Sequence, residues 1–431
     1  MDETLPTVED VVREGLCLGC GTCYNACSVN AITFELNEMG FYVPKVEHDI
    51  CTRCGVCYKA CPGLGVDITK MNLRTFSRIP RNPYLGSYIN TYIGYAKDSR
   101  IRYLGSSGGV ATALSMYVLD KGIVDGAIVV RMKRLRAETF IAKSKDEVLH
   151  AIGSKYQPIP VNVAIKEIIR SKENRKYLLI GLPCHIHGIL KLEECFPQVR
   201  ERIAYRIGLF CSGQPSILGT LFILWRYKIP VDEVKKITYR SGGWPGELNA
   251  ELLSGEKIRI PLPEYWPYMT YFINPRCRLC IDHTAEFADI SLGDPWLKNF
   301  YDPVGSSIII ARTTPGERLL KNAEKDGIIA LRKINWMRVF ESQFDAIMFK
   351  KADLPSRRIA IPSRKVPKAY IPSVGYPKIL TLNRIITYNI ASLFAFKRRW
   401  GTLNIYHKVS ELNLKLFWLY LHLLYSRLLN S

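Results

Sequence analysis

The spacing of apolar and polar positions changes character near residue 88. Beyond it, short apolar runs of strand length alternate with longer helical ones. Thr91 to Ala96 reads as a strand. Gly105-Ser106-Ser107-Gly108-Gly109 leads into an apolar helical run from Val110 to Leu119, and Ile123 to Arg131 reads as a strand again. Tyr177 to Gly181 is a buried strand that turns at Pro183 into a helix through about Leu192. Ile203 to Cys211 and Ile217 to Tyr227 repeat the alternation, and Ala288 to Gly293 and Ser307 to Arg312 are late strands. This order predicts an α/β core with a substantially parallel sheet. Upstream, the stretch from about Lys70 to Leu85, with Arg74, Arg78, Pro80, Arg81 and Pro83, reads as a linker. No uninterrupted run of 18 or more apolar residues occurs, so no transmembrane helix is expected.

Charge singles out the other end of the chain. Of the formal net charge of +21, most comes from residues 355–431, with 13 Lys and Arg against one acidic residue, Glu411. A solvated basic tail is one reading; a surface for acidic proteins or anionic lipid is the other. No nucleic-acid motif accompanies it, so no nucleic-acid partner is expected. Within residues 404–431, Leu412, Leu416, Leu419 and Leu423 recur at helical steps, with Lys408, Lys415 and Arg427 among them. This predicts an amphipathic helix, docked on a membrane surface or partner, or packed back on its own core.

The cysteines change the picture most. Eight of thirteen fall in the first 61 residues as two copies of C-x2-C-x2-C-x3-C: Cys17, Cys20, Cys23, Cys27, and Cys51, Cys54, Cys57, Cys61. This is the bacterial ferredoxin spacing, in which three cysteines of each run hold one [4Fe-4S] cluster and the fourth crosses to the other. The expected sets are Cys17, Cys20, Cys23 with Cys61, and Cys51, Cys54, Cys57 with Cys27. Ser28 follows the first run where proline is usual, which leaves the ligands intact. A zinc site has no use for a third cysteine at this spacing, and a disulfide scaffold needs an oxidising compartment. A reducing cytoplasm and an electron-transfer role are the expectation.

Of the remaining five, Cys184 lies at a strand-to-helix turn, Cys211 ends a strand, and Cys277 and Cys280 form a C-x2-C pair. Together they offer four thiolates, enough for a third cluster; buried packing thiols with a zinc or redox pair are the alternative. Cys195 looks like a packing residue. The Ser107 to Gly109 turn could admit a phosphate at a helix start, or simply cap the helix. His185 and His187 read as structural neighbours of Cys184, with proton transfer as the sharper alternative. Asp289, Asp294 and Trp296 could position a cofactor, or Asp294-Pro295 could terminate a strand.

Taken in order, several motifs resemble those of the coenzyme F-420 hydrogenase/dehydrogenase beta-subunit family. They are Ser107 to Thr112, Gly153-Ser154-Lys155-Tyr156, Gly181 to His185, and Phe210-Cys211-Ser212-Gly213. Tyr239-Arg240 through Trp244-Pro245-Gly246, and Cys277 through Asp294, complete the series over roughly residues 1–345. The resemblance implies FAD in the α/β core, held by Ser107, Gly108, Gly109 and Thr112 with Ser154, Lys155 and Tyr156 nearby. It also implies a core [4Fe-4S] cluster on Cys184, Cys211, Cys277 and Cys280, facing the flavin. FAD would divide a hydride from the deazaflavin into the single electrons that clusters carry, and Arg or Lys would suit the anionic phosphate and glutamate tail of that coenzyme.

The expected fold is therefore α+β and α/β: a two-cluster ferredoxin domain over 1–70, a linker over 71–88, an α/β flavin and iron–sulfur core over 89–345, and a basic, partly helical extension over 346–431. The expected function is an F-420-linked iron–sulfur flavoprotein oxidoreductase with a redox partner protein. A ferredoxin-fed reductase of another organic substrate, or a non-catalytic electron-transfer subunit, are the alternatives.

Overall fold

The computed structural model describes residues 5–352, 354–357 and 378–410. At the front, each cysteine run bends through a glycine with positive φ, Gly21 (87°) and Gly55 (70°), into a short helix, Thr22–Ala26 and Val56–Lys59. Strands β1 (Ile32–Leu36) and β2 (Tyr42–Val46) pair antiparallel beside them. The apolar core here is small: Val8, Val11, Leu16, Ile32 and Val46 pack with the thiols of Cys23 and Cys61. A unit this small gains stability from bound metal. It is also tied to the rest of the chain. The Asn162 N–H donates to the Cys20 carbonyl (3.0 Å), and Asn162 Nδ2 donates to Thr22 Oγ1 and to the His185 carbonyl (both 2.9 Å). A Cβ at Gly21 would lie 2.8 Å from the Pro160 carbonyl oxygen and the Val163 nitrogen, so this glycine serves both the turn and the close approach.

The expected linker is folded structure. Helix Ile68–Phe76 crosses the boundary at residue 70, and Ile68, Met71 and Phe76 pack with Ile189, Leu190 and Phe287. The arginines that suggest solvent exposure are not all free. Arg74 donates to the Leu190 carbonyl (3.0 Å) and pairs with the buried Glu193 (3.1 Å). Leu85 and Ser87 are buried as well.

The core sheet has eight strands. They are β3 (Asn90–Ala96), β4 (Gly126–Lys133), β5 (Arg136–Ala142), β6 (Tyr177–Gly181) and β7 (Ile203–Leu209), then β11 (Ile290–Gly293), β12 (Ser307–Ala311) and β13 (Ile329–Lys333). Between them in sequence, β8 (Val234–Ser241), β9 (Glu247–Leu252) and β10 (Lys257–Pro261) form a separate antiparallel sheet. The large sheet runs β13-β3-β12-β11-β7-β6-β4-β5. Parallel pairing joins only β11, β7, β6 and β4; every flanking pair is antiparallel. The sheet is thus mixed rather than substantially parallel. One cause is local: β4 returns directly as β5 through a tight hairpin at Arg134, whose φ is +56°, instead of through a crossover helix.

The C-terminal part is no separate extension as far as it is described. Helix Phe344–Lys351 runs across the expected boundary at 345, with Ile347 and Met348 buried. Helix Lys378–Phe396 and the helical residues 400–410 lie on a second core, where Ala391, Ala395 and Leu403 pack with Phe222, Tyr268 and Phe272. Of the expected amphipathic helix, 404–410 are helical and rest on this core, with His407 buried, so packing on the own chain holds for that part. Leu412, Lys415, Leu416, Leu419, Leu423 and Arg427 lie outside the described residues. Among the described residues, no helix is long and apolar enough to cross a membrane.

Candidate functional site

Where the parallel strands end, the chain leaves a cavity of about 580 Å³. Gly181 of β6, Leu209 of β7 and Gly293 of β11 all face it, so it occupies the crevice at their carboxyl ends, the usual ligand position in such sheets. The second wall is the turn before helix Val110–Asp120. Gly108 and Gly109 there have φ of +74° and +71°, and Gly109 caps the helix. Ser107 Oγ donates to the Ser306 carbonyl (2.7 Å), fixing the turn against the segment before β12. The Ser154 N–H donates to Ser106 Oγ (2.8 Å), and the two serine hydroxyls are 2.9 Å apart, which draws the Gly153-to-Tyr156 segment to the same rim.

Six of the seven residues expected to hold a flavin border this cavity: Ser107, Gly109, Thr112, Ser154, Lys155 and Tyr156. Gly108 does not. A Cβ on it would meet Ser306 Cα at 2.7 Å, so its role is to let the turn lie on residues 305–306. Lys155 is half-buried, and its enclosed ammonium donates to the carbonyls of Ala151, Ile152 (3.1 Å) and Gly153 (2.8 Å). Burial pushes its pKa down to about 7.

Opposite stands an ion pair, buried Arg240 on half-buried Asp294, whose members the sequence marks separately but not as a pair. Arg240 Nη1 and Nη2 grip Asp294 at 2.9 and 2.6 Å, and Nη2 also reaches the Ser106 carbonyl (2.8 Å). Trp244 Nε1 donates to Asp294 (2.9 Å), and Gln343 Nε2 to its carbonyl (2.6 Å). Burial works against the charge of Asp294, but Arg240 together with the hydrogen bonds of Trp244 and Ser107 outweighs it and holds the carboxyl below the usual range. Asp289 does not border the cavity; it accepts from the Arg206 N–H (2.8 Å) and from Thr313 Oγ1 (2.7 Å) and closes the sheet. His185 borders the cavity, but its Nδ1 accepts the Leu182 N–H (3.0 Å) and burial depresses its pKa to about 4. His187 pairs with Asp282 (3.0 Å) in the interior.

The thiols gather in three groups. Cys27, Cys51, Cys54 and Cys57 surround one small cavity. Cys17, Cys20, Cys23 and Cys61 lie within one another's electrostatic reach, as do Cys184, Cys211, Cys277 and Cys280. The fourth cysteine of each ferredoxin run thus stands with the opposite run. Cys20 interacts with Cys184, and Cys20, Cys184 and Cys277 share one apolar cluster with Leu18 and Ile273, so the front unit abuts the core group. Burial raises the thiols of Cys17, Cys20, Cys23, Cys184 and Cys277, and pushes Cys61 up to about 11 and Cys211 to about 12, so thiolates at these positions need a compensating cationic centre. Among the described residues no three His, Cys, Asp or Glu side chains converge as a single ion requires. Cys195 stays apart, packed beside helix Gln198–Arg202 and Phe196.

Residues 16–63 match the 4Fe-4S dicluster domain, which makes this an iron–sulfur protein with its cluster domain set against an α/β cavity. Residues 91–166 and 174–336 match the N-terminal and C-terminal models of the coenzyme F-420 hydrogenase/dehydrogenase beta subunit. The chain belongs to that family. It is 30% identical to an uncharacterised protein of Methanocaldococcus jannaschii, over 74% of this chain and 90% of the relative. It is 27% identical to the coenzyme F-420 hydrogenase subunit beta of Methanothermobacter thermautotrophicus, over 64% of this chain and 95% of the relative. With the coenzyme F-420-dependent sulfite reductase of M. jannaschii it shares 28% identity over 74% of this chain but only 48% of that longer protein. Among solved structures, a chain of the F-420-reducing [NiFe] hydrogenase complex from Methanosarcina barkeri superposes with a TM-score of 0.52 at 24% identity. It covers 67% of this chain and 98% of that one, a likeness of fold.

Proposed function

We propose that this protein oxidises or reduces coenzyme F-420 at a flavin in the cavity and passes single electrons along three [4Fe-4S] sites to a redox partner. One observation carries the reading: Cys211 and the Ser107 turn border the same cavity, so the core thiol group and the flavin cradle are contiguous. The cavity is large enough for a cofactor, its turn admits close backbone approach, and Lys155 presents a buried amine with no carboxylate bonded to it. When bound, FAD supplies the exchange between hydride and single electrons. Ser107, Gly109 and Thr112 would hold its phosphates, and Arg240, fixed by Asp294, would hold the rim of the site rigid. The groups with Cys184, then Cys20, then Cys57 form a file toward the exposed Cys54, where a partner would meet the chain. Several relatives are named as beta subunits, which supports such a partner.

The test is anaerobic reconstitution with iron, sulfide and flavin counted, followed by reduced F-420. The expected result is about twelve irons, one FAD, and F-420 oxidation linked to a one-electron acceptor. Fully loaded protein that leaves reduced F-420 untouched overturns the reading.

Lys155 makes the flavin site pH-dependent. Its charged form attracts the FAD diphosphate and predominates below about pH 7. FAD affinity should therefore fall as pH rises from 7 to 9, by up to about ten-fold per unit while the amine deprotonates. Lys155→Met should bind weakly at pH 7 and show no such slope. Equilibrium dialysis of the flavin measures both.

A further inference from the structure

We infer that Trp296, backed by Trp244 and flanked by Lys298 and Arg332, is the landing platform for the planar ring and anionic tail of the deazaflavin. This rests on the proposed function and assigns the substrate its own place, apart from the flavin cradle at the Ser107 turn. Trp296 both borders the cavity and is 46% exposed. Its ring lies 4.9 Å from that of Trp244, which packs edge-on to Tyr301 at 5.8 Å. Tyr301 is 61% exposed and Tyr103 51%, and the Gly243 N–H next to Trp244 bonds the Tyr103 carbonyl. Trp296 on the cavity rim, Trp244 behind it and Tyr301 thus form a continuous aromatic file, with the Tyr103 ring beside Gly243. Exposed aromatic surface of this kind marks a binding site rather than packing.

The platform is held from beneath. Trp244 is pinned through Nε1 to Asp294, Asp294 is gripped by Arg240, and the Arg240 guanidinium sits 5.8 Å from the Trp296 ring centre. A pre-set face of this type stacks a flat heteroaromatic ring at low entropic cost. It offers no recognition for a tail, and the neighbouring charges supply that. Lys298 is exposed two residues beyond Trp296. Arg332 is exposed over the ring of Phe300, 5.6 Å from its centre, and Arg338 covers the same ring at 5.4 Å. The carboxylates on this rim are engaged: Asp302 with Arg102, and Glu341 with Arg338. Lys298 and Arg332 are left to meet phosphate or carboxylate. A ring on Trp296 with its tail toward these two cations fits a deazaflavin bearing a phosphate and a glutamate chain.

The experiment uses the flavin- and cluster-loaded protein with oxidised F-420, so that binding is read without turnover. Trp296→Ala should raise the dissociation constant about ten-fold or more while iron and FAD contents stay at wild-type values; Trp296→Phe should restore binding to within about three-fold. Lys298→Glu together with Arg332→Glu should weaken F-420 binding and flatten its salt dependence. It should leave a deazaflavin ring without the tail unaffected. Wild-type protein that binds F-420 while Trp296→Ala binds it equally well overturns the platform alone. Wild-type protein that binds no F-420 overturns both the platform and the function on which it rests.

Discussion

Replacing Cys277 or Cys280 with Ser is expected to strip about a third of the iron from the reconstituted protein, about four of twelve atoms, and to leave the ferredoxin signals in place. The thiols of Cys184, Cys211, Cys277 and Cys280 form one buried group, and two cations stand in its field. Lys350 is fully buried and interacts first with Cys280, Cys211 and Cys277. Arg276 is buried, its Nε donating to the Gly63 carbonyl (2.8 Å), and the negative groups that act most strongly on it are Cys280, Cys277, Cys61 and Cys184. No carboxylate is among them. A guanidinium buried without a carboxylate is costly unless anionic centres lie beside it. Here those centres would be the thiolate-ligated clusters of the core and the front unit, with Arg276 between them. Cys195→Ser is the control and should keep all the iron. A full complement in both Cys277→Ser and Cys280→Ser would rule out the core cluster.

How much of this is legible in the sequence depends on how far apart the cooperating residues lie. The ferredoxin runs are legible because one cluster draws three ligands from seven consecutive residues. The Ser107 turn is legible because its glycines and the helix they start are neighbours. The strands Tyr177–Gly181 and Ser307–Ala311 are apolar apart from Ser307 and match their expected places. Arg240 and Asp294 are not legible as a pair: 54 positions separate them, and the left-handed backbone of Arg240 (φ +53°) leaves no mark in composition. The sheet β8-β9-β10 is hidden in mixed stretches such as Val234 to Ser241, where lysines interrupt the alternation. Charge misleads most toward the C-terminus. Arg357 reads as part of a basic tail, yet it is buried and donates to the Cys280 carbonyl (3.0 Å). Sequence counts charges; only the fold says which ones reach back.

That reach makes truncation the sharpest test of the C-terminal region. Ending the chain after residue 377 is expected to give insoluble protein or protein lacking the core cluster. Leu403, Ala391 and Ala395 are fully buried against Phe222 and Phe272, and burial of Leu403 alone is worth on the order of 2 kcal/mol. Tyr271 hydroxyl and His407 Nδ1 are 2.7 Å apart in the same interface. Arg278, between the two cysteines of the C-x2-C pair, is held by Asn389 and by Ser392 Oγ (2.7 Å). Losing these partners leaves a largely buried guanidinium unsatisfied in the loop that presents Cys277 and Cys280. A chain ending after residue 410 keeps every one of these contacts and should retain its full iron and flavin. Iron content by colorimetry and flavin by absorbance, measured on both truncations, read the difference directly. If the chain ending at 377 stays soluble with its full iron, helix Lys378–Phe396 is no part of the core and its role lies in an outward contact instead.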